Sequence, residues 1–506
     1  MKYTFARDFL FRGFERLPFV GIFPYGKPVN IKPELLDTLD LCDGTTDIPE
    51  MTEELKTLID LGLVVEGDTP PTEHQKYRYH KNRYFPDGSW QITGRCNYRC
   101  KHCFNAVDNS PIFDEFTLDE AKALIADFAS CGVQNMDITG GEPTIHPNFM
   151  EILTELSKVN IRVHRISTNG SKITREMLSQ IKELGFYPEF RMSFDGIGFH
   201  DKFRGHKGAE ETTLKAIELL VSEGFPVKIE MNVNIDNIDT IFPSINLMDK
   251  MGVHYLRVIR TMETPRWVQN CEKLFPGGDY YEFALKLAED YLKEPHKMHI
   301  NVFHTLHIDP ISGTAYTGAE HTGPYRGRAT VCGHNRHELS VSSNGDLSPC
   351  PQMSGVLWKL GICLGNVKET PLQNLISDAF SDGSYKTGFI MKKPEIAAVM
   401  SMYSGSEEFG NETIADLEAL FDREVEVVPK SYLDAVDMRV DTIKERTPRC
   451  ANCKYFERCQ GGCRLVALGF TGVYTQRDIT KCLWFYGGFA DRLEAMMKEK
   501  EKVHAG

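Results

Sequence analysis

The stretch Cys96-Asn97-Tyr98-Arg99-Cys100-Lys101-His102-Cys103 places three cysteines in a C-x3-C-x2-C loop directly after a predicted strand, Ser89–Thr93. A cubane cluster of four irons requires four ligands, so three thiolates leave one iron open to another molecule. A structural zinc site is the alternative, but zinc is closed by four protein ligands, and His102 is the one candidate nearby. The spacing therefore favours an iron–sulfur cluster with one open iron.

A regular alternation of strands and helices surrounds this loop and continues to Thr261. Helix-length segments such as Leu118–Ser130 and Thr174–Leu184 separate the strands. This order is typical of parallel strands with right-handed crossovers, arranged as an open barrel or a doubly wound sheet. The predicted strands are Ser89–Thr93, Asn135–Thr139, Arg162–Thr168, Glu189–Phe194, Val227–Asn234 and His254–Thr261. In a barrel, the carboxyl ends of such strands carry the chemistry.

Small and polar residues follow these strand ends. After the second strand comes Gly140-Gly141-Glu142-Pro143, where two residues without Cβ atoms would let the backbone approach a ligand closely. Glu230, Asn232 and Asn234 alternate with apolar residues on the fifth strand, so they face one side. Other polar candidates at the strand ends are Ser167, Asn169, Ser193 and Arg204. A single one could be a satisfied interior group, but the ordered set indicates a binding site.

The cysteine loop and the strand-end motifs together resemble the radical S-adenosylmethionine (radical SAM) superfamily. The resemblance implies a partial (β/α)6 TIM-like barrel in which Cys96, Cys100 and Cys103 hold a 4Fe-4S cluster whose open iron binds S-adenosylmethionine. The residues it assigns to that cofactor are Gly140, Gly141, Glu142, Pro143, Ser167, Asn169, Ser193, Arg204 and Asn232. Reductive cleavage would then give methionine and a 5′-deoxyadenosyl radical that abstracts a substrate hydrogen.

Individual roles follow from the same resemblance. The glycine pair and the carboxylate of Glu142 would receive the methionine ammonium. Ser193 and Arg204 would meet the methionine carboxylate, which a guanidinium suits geometrically. Asn232 would contact a ribose hydroxyl. The catalytic proton acceptor is not identified.

A second set of cysteines lies near the C-terminus: Cys332, Cys350, then Cys450-x2-Cys453-x5-Cys459-x3-Cys463 and a separate Cys482. Zinc is an alternative for the C-x2-C-x5-C part taken by itself. With the first loop, this pattern and the intervening Leu364-Gly365-Asn366-Val367 resemble the SPASM extension of radical enzymes. The resemblance implies two auxiliary 4Fe-4S clusters, one held by Cys450, Cys453, Cys459 and Cys482, the other by Cys332, Cys350 and Cys463.

The second auxiliary site has one thiolate fewer than a complete set, and the segment Pro324–Val331 contains no cysteine to supply it. An open iron there could bind a substrate thiolate, which favours thioether formation on a peptide cysteine. Cys363 or Cys271 could instead complete the site. Taken with Cys42 and Cys131, these scattered cysteines are otherwise expected to be small buried hydrophobes.

Residues 1–70 show turn-broken apolar segments and two short helices, which is a winged-helix pattern. The second helix carries Glu53, Glu54 and Asp60 against a single Lys56, so DNA binding is not expected. The module resembles the small winged-helix modules that recognise leader sequences of ribosomally made peptides, including the peptide chaperone of pyrroloquinoline quinone synthesis. A leader could add as a strand to an exposed sheet edge. A structural cap without a ligand is the alternative.

The 506 residues suggest several domains. We predict the recognition module at 1–70, a linker at 71–88, the partial barrel at 89–310 and the SPASM domain at 311–500 with an insertion near 370–448. The net charge of −13 argues against nucleic acid as partner, and no apolar stretch suits a membrane span. Arginines and a glutamate interrupt the first apolar segment, so no signal peptide is expected and a cytoplasmic location is predicted. Fourteen cysteines in that reducing compartment indicate metal use.

The predicted function is modification of a ribosomally made precursor peptide, with a thioether crosslink as the favoured product. A reducing electron donor such as flavodoxin or ferredoxin would be required. The alternatives are a C–C crosslinking, epimerising or sulfatase-maturing radical enzyme. A different class would be a non-catalytic iron–sulfur protein that binds peptide or relays electrons, but the intact Gly140–Pro143 segment and Arg204 argue against it.

Overall fold

The fold is described from a computed structural model. It describes residues 1–23, 26–103, 114–262, 265–271, 273, 275–318, 330, 332, 337–380, 431–471 and 473–505. Residues 381–430, the greater part of the insertion predicted near 370–448, lie outside the described residues. Within them, no helix combines the length and the apolar character that a membrane crossing needs.

The N-terminal module folds around its own apolar core, in which Phe9, Leu39 and Leu55 are fully buried. Its elements are β1 (Tyr3–Phe5), β2 (Leu10–Glu15), β3 (Leu17–Ile22), β4 (Val29–Asn30), α1 (Leu36–Leu41), α2 (Glu53–Asp60), β5 (Val64–Glu66) and β6 (Arg78–Arg83). Strands β4, β3 and β2 pair antiparallel, and β1 pairs antiparallel with β5. The short strands and two helices predicted here are present, while the winged-helix assignment remains a prediction.

The segment predicted as a linker, residues 71–88, is more structured than expected. Strand β6 lies within it and pairs parallel with β2. The amide of Arg83 also donates to the carbonyl of Ile376 at 2.9 Å. These backbone hydrogen bonds come from distant parts of the chain, so a polar sequence with few local signals still forms a strand.

One eleven-stranded sheet lies at the centre of the described chain. Its strands, in chain order, are β7 (Asp87–Gln91), β8 (Asn135–Thr139), β9 (Arg162–Thr168), β10 (Glu189–Ser193), β11 (Val227–Val233), β12 (Tyr255–Arg260), β13 (His299–Val302), β14 (Leu306–Asp309), β15 (Thr314–Thr317), β16 (Glu338–Val341) and β17 (Leu347–Ser348). Strands β7 to β13 are parallel neighbours in chain order. The six predicted strands are therefore consecutive parallel strands of one sheet.

Two extensions of this sheet were not predicted. Strands β14 and β15 add antiparallel beyond β13, and β16 returns to pair parallel with β7, with β17 beside it. The helices between β7 and β13 are α3 (Leu118–Ser130), α4 (Phe149–Lys158), α5 (Arg175–Glu183), α6 (His200–Arg204), α7 (Ala209–Ser222), α8 (Ile238–Lys250), α9 (Pro265–Asn270) and α10 (Gly277–Tyr291). Thr117 and Glu120 form a capping box that starts α3 at its predicted position.

Helices dominate the described C-terminal part: α11 (Ser354–Leu360), α12 (Leu372–Leu375), α13 (Tyr432–Asp437), α14 (Val440–Arg446), α15 (Pro448–Ala451), α16 (Phe456–Cys459), α17 (Arg464–Thr471), α18 (Ile479–Tyr486) and α19 (Phe489–Ala505). Trp90 of the barrel and Trp484 of α18 belong to one continuous apolar core. At the other side, Arg16 and Arg83 both pair with Asp378 and Asp437. The N-terminal module is thereby joined to the C-terminal part by charged contacts.

Candidate active site

Two backbone hydrogen bonds seat the first cysteine loop against the end of β8. The amide of Gly141 donates to the carbonyl of Thr93 at 2.7 Å, and the amide of Glu142 donates to that of Arg95 at 2.8 Å. A Cβ atom on Gly141 would lie 2.2 Å from the carbonyl oxygen of Arg95, and one on Gly140 would lie 2.4 Å from that of Thr93. The close approach predicted for the glycine pair is therefore an approach to the backbone just before Cys96.

The three thiols of the loop, at Cys96, Cys100 and Cys103, lie close together and are partly exposed. Burial raises the pKa of Cys96 to about 12, and the neighbouring Cys100 and Cys103 add to the rise. Three adjacent thiolates are unfavourable by themselves, whereas a cationic metal centre stabilises them. In the part of the chain that the structure describes, no three Cys, His, Asp or Glu side chains already lie in position around a single metal ion. Three neighbouring thiols on one loop fit the three-thiolate ligand set of a 4Fe-4S cluster.

His102 lies inside this loop and stacks on Phe203 of α6, with ring centroids 3.9 Å apart and an interplanar angle of 3°. Burial, followed by the charge of Arg204, lowers the pKa of His102 to about 3, so the ring is neutral. Its buried Nδ1 has no hydrogen-bond partner among the described residues. A polar group of the cofactor beside the three thiols would satisfy this buried atom.

Glu142 is fully buried, and its carboxylate already has four donors from the protein. Oε1 accepts from the amide of Thr144 at 3.1 Å, from its hydroxyl at 2.5 Å and from the hydroxyl of Thr168 at 2.7 Å. Oε2 accepts from the amide of Asn169 at 2.6 Å. Burial raises the pKa of Glu142. This carboxylate ties the ends of β8 and β9 together, beside the short helix that Pro143 begins.

The third and fourth strand ends complete the same edge. The side-chain amide of Asn169 donates to Asn97 Oδ1 at 2.9 Å, which links β9 to the first cysteine loop. Ser167 lies near the end of β9, and Ser193 is the last residue of β10, in register with Glu230 of β11. Ser167 and Ser193 are partly exposed. The structure thus brings these predicted residues to the strand ends that surround the loop.

Arg204 is buried and forms a bidentate ion pair with Asp195: Nε lies 2.6 Å from Oδ2 and Nη2 lies 3.0 Å from Oδ1. Its remaining nitrogen, Nη1, lies 3.8 Å from Cys100 Sγ. The planar fork predicted to meet a methionine carboxylate is thus occupied by Asp195, and the guanidinium contacts a loop thiol. The sequence analysis did not give Asp195 a role, although it lies two residues after Ser193 and faces the same side.

Asp195 also binds the end of the fifth predicted strand, β11. The backbone amide of Asn232 donates to Asp195 Oδ1 at 3.0 Å, and its side-chain amide lies 3.5 Å from the same oxygen. Burial opposes ionisation of Asp195, but Arg204 and His200 outweigh it and lower the pKa of Asp195. Asn232, Asp195, Arg204 and Cys100 therefore form one charged network from the barrel interior to the cysteine loop.

The C-terminal cysteines form two groups. In the first, Cys450 and Cys459 both influence the pKa of Cys482, which burial raises. Cys453 joins them through Tyr486, whose hydroxyl lies 3.2 Å from the Cys453 sulfur and whose pKa is affected by both Cys453 and Cys482. These four are the cysteines that the resemblance assigns to one auxiliary cluster.

The second group contains the other three. Burial raises the pKa of Cys350, and Cys463 and Cys332 raise it further. Cys332 likewise acts on Cys463, whose pKa burial raises to about 12. Asp478 connects the groups, because it accepts from the amide of Cys463 at 2.8 Å and caps α18, which carries Cys482. The sequence analysis did not single out Asp478.

The scattered cysteines lie elsewhere. Cys42 and Cys131 are buried, as expected for small apolar residues. The thiol of Cys363 lies 3.5 Å from Asp346 Oδ1, and Asp346 and Glu369 contribute to its pKa, which burial raises to about 11. Cys271 packs against the apolar cluster of Phe199, Phe203 and Trp267.

Two family models match the chain. Residues 90–248 match the Radical SAM superfamily, and residues 332–397 match the SPASM iron–sulfur cluster-binding domain. The first covers the strands and helices that carry the strand-end network. The second begins at Cys332 and includes Cys350.

Relatives of the chain include the AdoMet-dependent heme synthase of Methanosarcina barkeri, 29% identical over 58% of this chain and 82% of that protein. The antilisterial bacteriocin subtilosin biosynthesis protein AlbA of Bacillus subtilis is 28% identical over 55% of this chain and 56% of its own length. Aligned regions of this extent support a common barrel and leave the individual activities open.

A similar fold is found in Streptococcus suis SuiB. The crystal structure with S-adenosylmethionine aligns at a TM-score of 0.54 and 13% identity, covering 94% of this chain and 99% of SuiB. A second SuiB structure, bound to the precursor peptide SuiA, aligns at 0.52 and 13% identity, covering 86% and 99%. The chain therefore carries a radical SAM domain, which binds S-adenosylmethionine and a 4Fe-4S cluster, followed by a SPASM domain, which binds auxiliary iron–sulfur clusters.

Proposed function

We propose that this protein is an enzyme that modifies a ribosomally made precursor peptide and forms a thioether between a cysteine sulfur and a carbon atom. The carrying observation, within the described residues, is the grouping of Cys332, Cys350 and Cys463, for which the segment Pro324–Val331 supplies no further cysteine. Three thiolates would leave one iron of an auxiliary cluster for a substrate thiolate. Similarity to AlbA and to the fold of SuiB supports a peptide as substrate.

The ligand assignment follows the groups that the structure brings together. Cys96, Cys100 and Cys103 would hold the cluster that binds S-adenosylmethionine, and Cys450, Cys453, Cys459 and Cys482 would hold a complete auxiliary cluster. When bound, the first cluster and its cofactor supply a 5′-deoxyadenosyl radical that removes a hydrogen atom from the substrate. Flavodoxin or ferredoxin is the electron donor that we propose.

The surrounding residues would position the cofactor rather than react. Glu142 and Asn169 hold the strand ends and the loop at fixed distances. His102 Nδ1, which is buried and has no hydrogen-bond partner in the described chain, would bond to a polar atom of the cofactor. The hydroxyls of Ser167 and Ser193 would do the same. Arg204, held by Asp195, would place a positive charge next to Cys100 and its cluster.

The N-terminal module would recognise the leader of the precursor as a winged-helix unit. Strands β4 and β6 are the edges of its four-stranded sheet, and an extended leader could pair with such an edge. The ion pairs of Arg16 and Arg83 with Asp378 and Asp437 would hold the module on the C-terminal part. Attachment of this kind raises the local concentration of the bound peptide at the reaction site.

Modification of a heme precursor is a second candidate, because a heme synthase is 29% identical over most of its own length. Product analysis separates the candidates. The enzyme would be prepared anaerobically and supplied with reductant, S-adenosylmethionine and the peptide encoded by a short cysteine-rich reading frame next to its gene. A thioether removes two hydrogens per bond and makes one cysteine unreactive to iodoacetamide. A C–C crosslink removes two hydrogens but leaves the thiol reactive, and epimerisation leaves the mass unchanged.

The matched variants are Cys463→Ala, which removes a proposed auxiliary ligand, and Cys42→Ala, which removes a buried thiol in the N-terminal core. We expect the crosslink to be lost in the first and retained in the second. An unchanged peptide mass with 5′-deoxyadenosine still produced, for every candidate precursor, would refute the proposed crosslink, and unchanged stereochemistry at every residue of those peptides would refute the peptide proposal as a whole.

A further inference from the structure

A cationic group lies on the inner face of the barrel, away from the strand-end network. Lys228 and Glu230 share one face of β11, and Glu230 is in register with Arg257 of β12. Tyr255 is in register with Lys228, and the Lys228 ammonium lies 4.6 Å from the centroid of its ring. The Arg257 guanidinium lies 5.0 Å from the ring of Phe303.

Among the described residues, both cations are short of hydrogen-bond partners. The side chain of Lys228 is 7% exposed, and its Nζ lies 3.6 Å from Glu230 Oε1. Arg257 Nη1 lies 3.6 Å from the same oxygen, and its buried Nε has no partner in the described chain. Two positive charges therefore share one carboxylate at a distance beyond a normal hydrogen bond.

Neighbouring inward-facing arginines are paired more completely. Arg165 Nη1 donates to Asp137 at 3.0 Å, although its Nε, like that of Arg257, has no partner in the described chain, and Arg191 Nε donates to Glu189 at 3.2 Å. A buried cation without good hydrogen bonds is costly, so folded proteins normally provide a partner for it. The contrast indicates that Lys228 and Arg257 are arranged for a group that is not part of the chain.

We propose that Lys228 and Arg257 form a subsite that binds a carboxylate of the substrate. The inference rests on the proposed function in one respect, namely that the substrate enters the barrel. The group of two cations and Glu230 carries a net charge of +1, which matches a singly charged carboxylate better than a dianionic phosphate. A guanidinium binds a carboxylate through two parallel hydrogen bonds, and Lys228 adds a third donor.

The position of this subsite would orient the substrate. Glu230 precedes Asn232 by two residues on the same face of β11, and Arg257 of β12 is in register with Glu230. Glu230 and Arg257 therefore lie about 7 Å from Asn232 along the strands. Asn232 belongs to the network that reaches Cys100. A substrate held by its carboxylate at Arg257 would thus extend its reacting carbon towards the first cysteine loop.

The carboxylate could belong to an aspartate or glutamate side chain or to a peptide C-terminus, and two pairs of probes distinguish these sources. One pair is N-acetylglutamate α-amide and N-acetylglutamine α-amide, and the other is N-acetylalanine and N-acetylalaninamide. Binding would be measured by calorimetry on the anaerobic holoenzyme with S-adenosylmethionine. We expect an acid in one pair to bind at least tenfold more tightly than its amide, and the preferred pair identifies the source.

The variants Lys228→Met and Arg257→Gln should abolish this preference, and Arg257→Lys should retain part of it. Lys215→Met is the matched control, because Lys215 is exposed on α7 and its ion pair among the described residues is with Glu211 on the same helix. Iron content and the absorption spectrum of each variant report folding. Equal binding of acid and amide in both pairs, or an unchanged preference in Arg257→Gln, would overturn the subsite. If the unmodified enzyme did not cleave S-adenosylmethionine, that result would instead contradict the proposed function.

Discussion

Replacing Arg204 by glutamine removes a buried cation beside the first cysteine loop and leaves Asp195 without its bidentate partner. In the structure, Arg204 Nη1 lies 3.8 Å from Cys100 Sγ, and the rest of the guanidinium is held by Asp195. A positive charge beside a cluster ligand stabilises the reduced, more negative cluster. We expect Arg204→Gln to lower the reduction potential of the first cluster and Asp195→Asn to raise it.

The distance sets the size of the effect. At 3.8 Å and an effective dielectric constant of about 20, a full unit charge interacts with another by about 4 kcal/mol. Roughly one third of the guanidinium charge lies on Nη1, which leaves about 1.5 kcal/mol for this contact. With about 59 mV for each 1.36 kcal/mol in a one-electron couple, the expected decrease is roughly 60 mV. The expected change in reduction potential is smaller for Asp195→Asn, because Arg204 lies between Asp195 and Cys100.

The assay is a redox titration followed by electron paramagnetic resonance, in a background where the auxiliary cysteines are replaced by alanine. Lys202→Met is the control, because Lys202 lies on α6 with Arg204 but is exposed, so water and salt screen its charge. An unpaired buried carboxylate costs about 3–5 kcal/mol, so the double variant Arg204→Gln/Asp195→Asn is measured as well. Potentials that move in the same direction in the two single variants, or by less than in Lys202→Met, would refute the reasoning.

Three further predictions concern the ligands, the glycine pair and the carboxylate subsite. Cys482→Ala should lose about four irons and keep the spectrum of the first cluster, and loss of all the iron would contradict the grouping. Gly141→Ala should lower cluster uptake because its Cβ would collide with Arg95, whereas Gly278→Ala, which has open space, should not; equal uptake would contradict this. Burial, then Arg257, lowers the pKa of Lys228 to about 8, so acid binding should weaken as pH rises above about 8. Lys228→Met should remove this pH dependence of acid binding. Burial raises the pKa of the neighbouring Tyr255 and lowers that of His307, so neither group titrates near pH 8.

The parallel strands could be predicted from sequence because each one has local signals. Strands β8 and β9 have the predicted limits, and the Thr117 cap starts α3 where expected. Strand β6 could not be predicted, because its polar residues 78–83 take backbone hydrogen bonds from the distant β2 and Ile376. The return of β16 to β7 depends in the same way on contacts between distant segments.

In the candidate site, too, local sequence signals predicted some features and not others. Spacing alone indicated the first loop, whereas the grouping of the later cysteines came from a family resemblance, and their assignment to two clusters stays a prediction. The use of individual side chains was harder to foresee. Glu142 was expected to meet a ligand, but Thr144, Thr168 and Asn169 occupy its oxygens. Such pairings depend on distances across strand ends, which a sequence pattern does not contain.

The central claim is that the cluster at Cys96, Cys100 and Cys103 keeps an iron open for S-adenosylmethionine. The most direct measurement is electron paramagnetic resonance of the reduced protein, with the auxiliary cysteines replaced, before and after addition of S-adenosylmethionine. The account predicts that the cofactor changes the spectrum and that 5′-deoxyadenosine is formed. An unchanged spectrum in protein that retains its iron and acid-labile sulfide, with no 5′-deoxyadenosine, would contradict it.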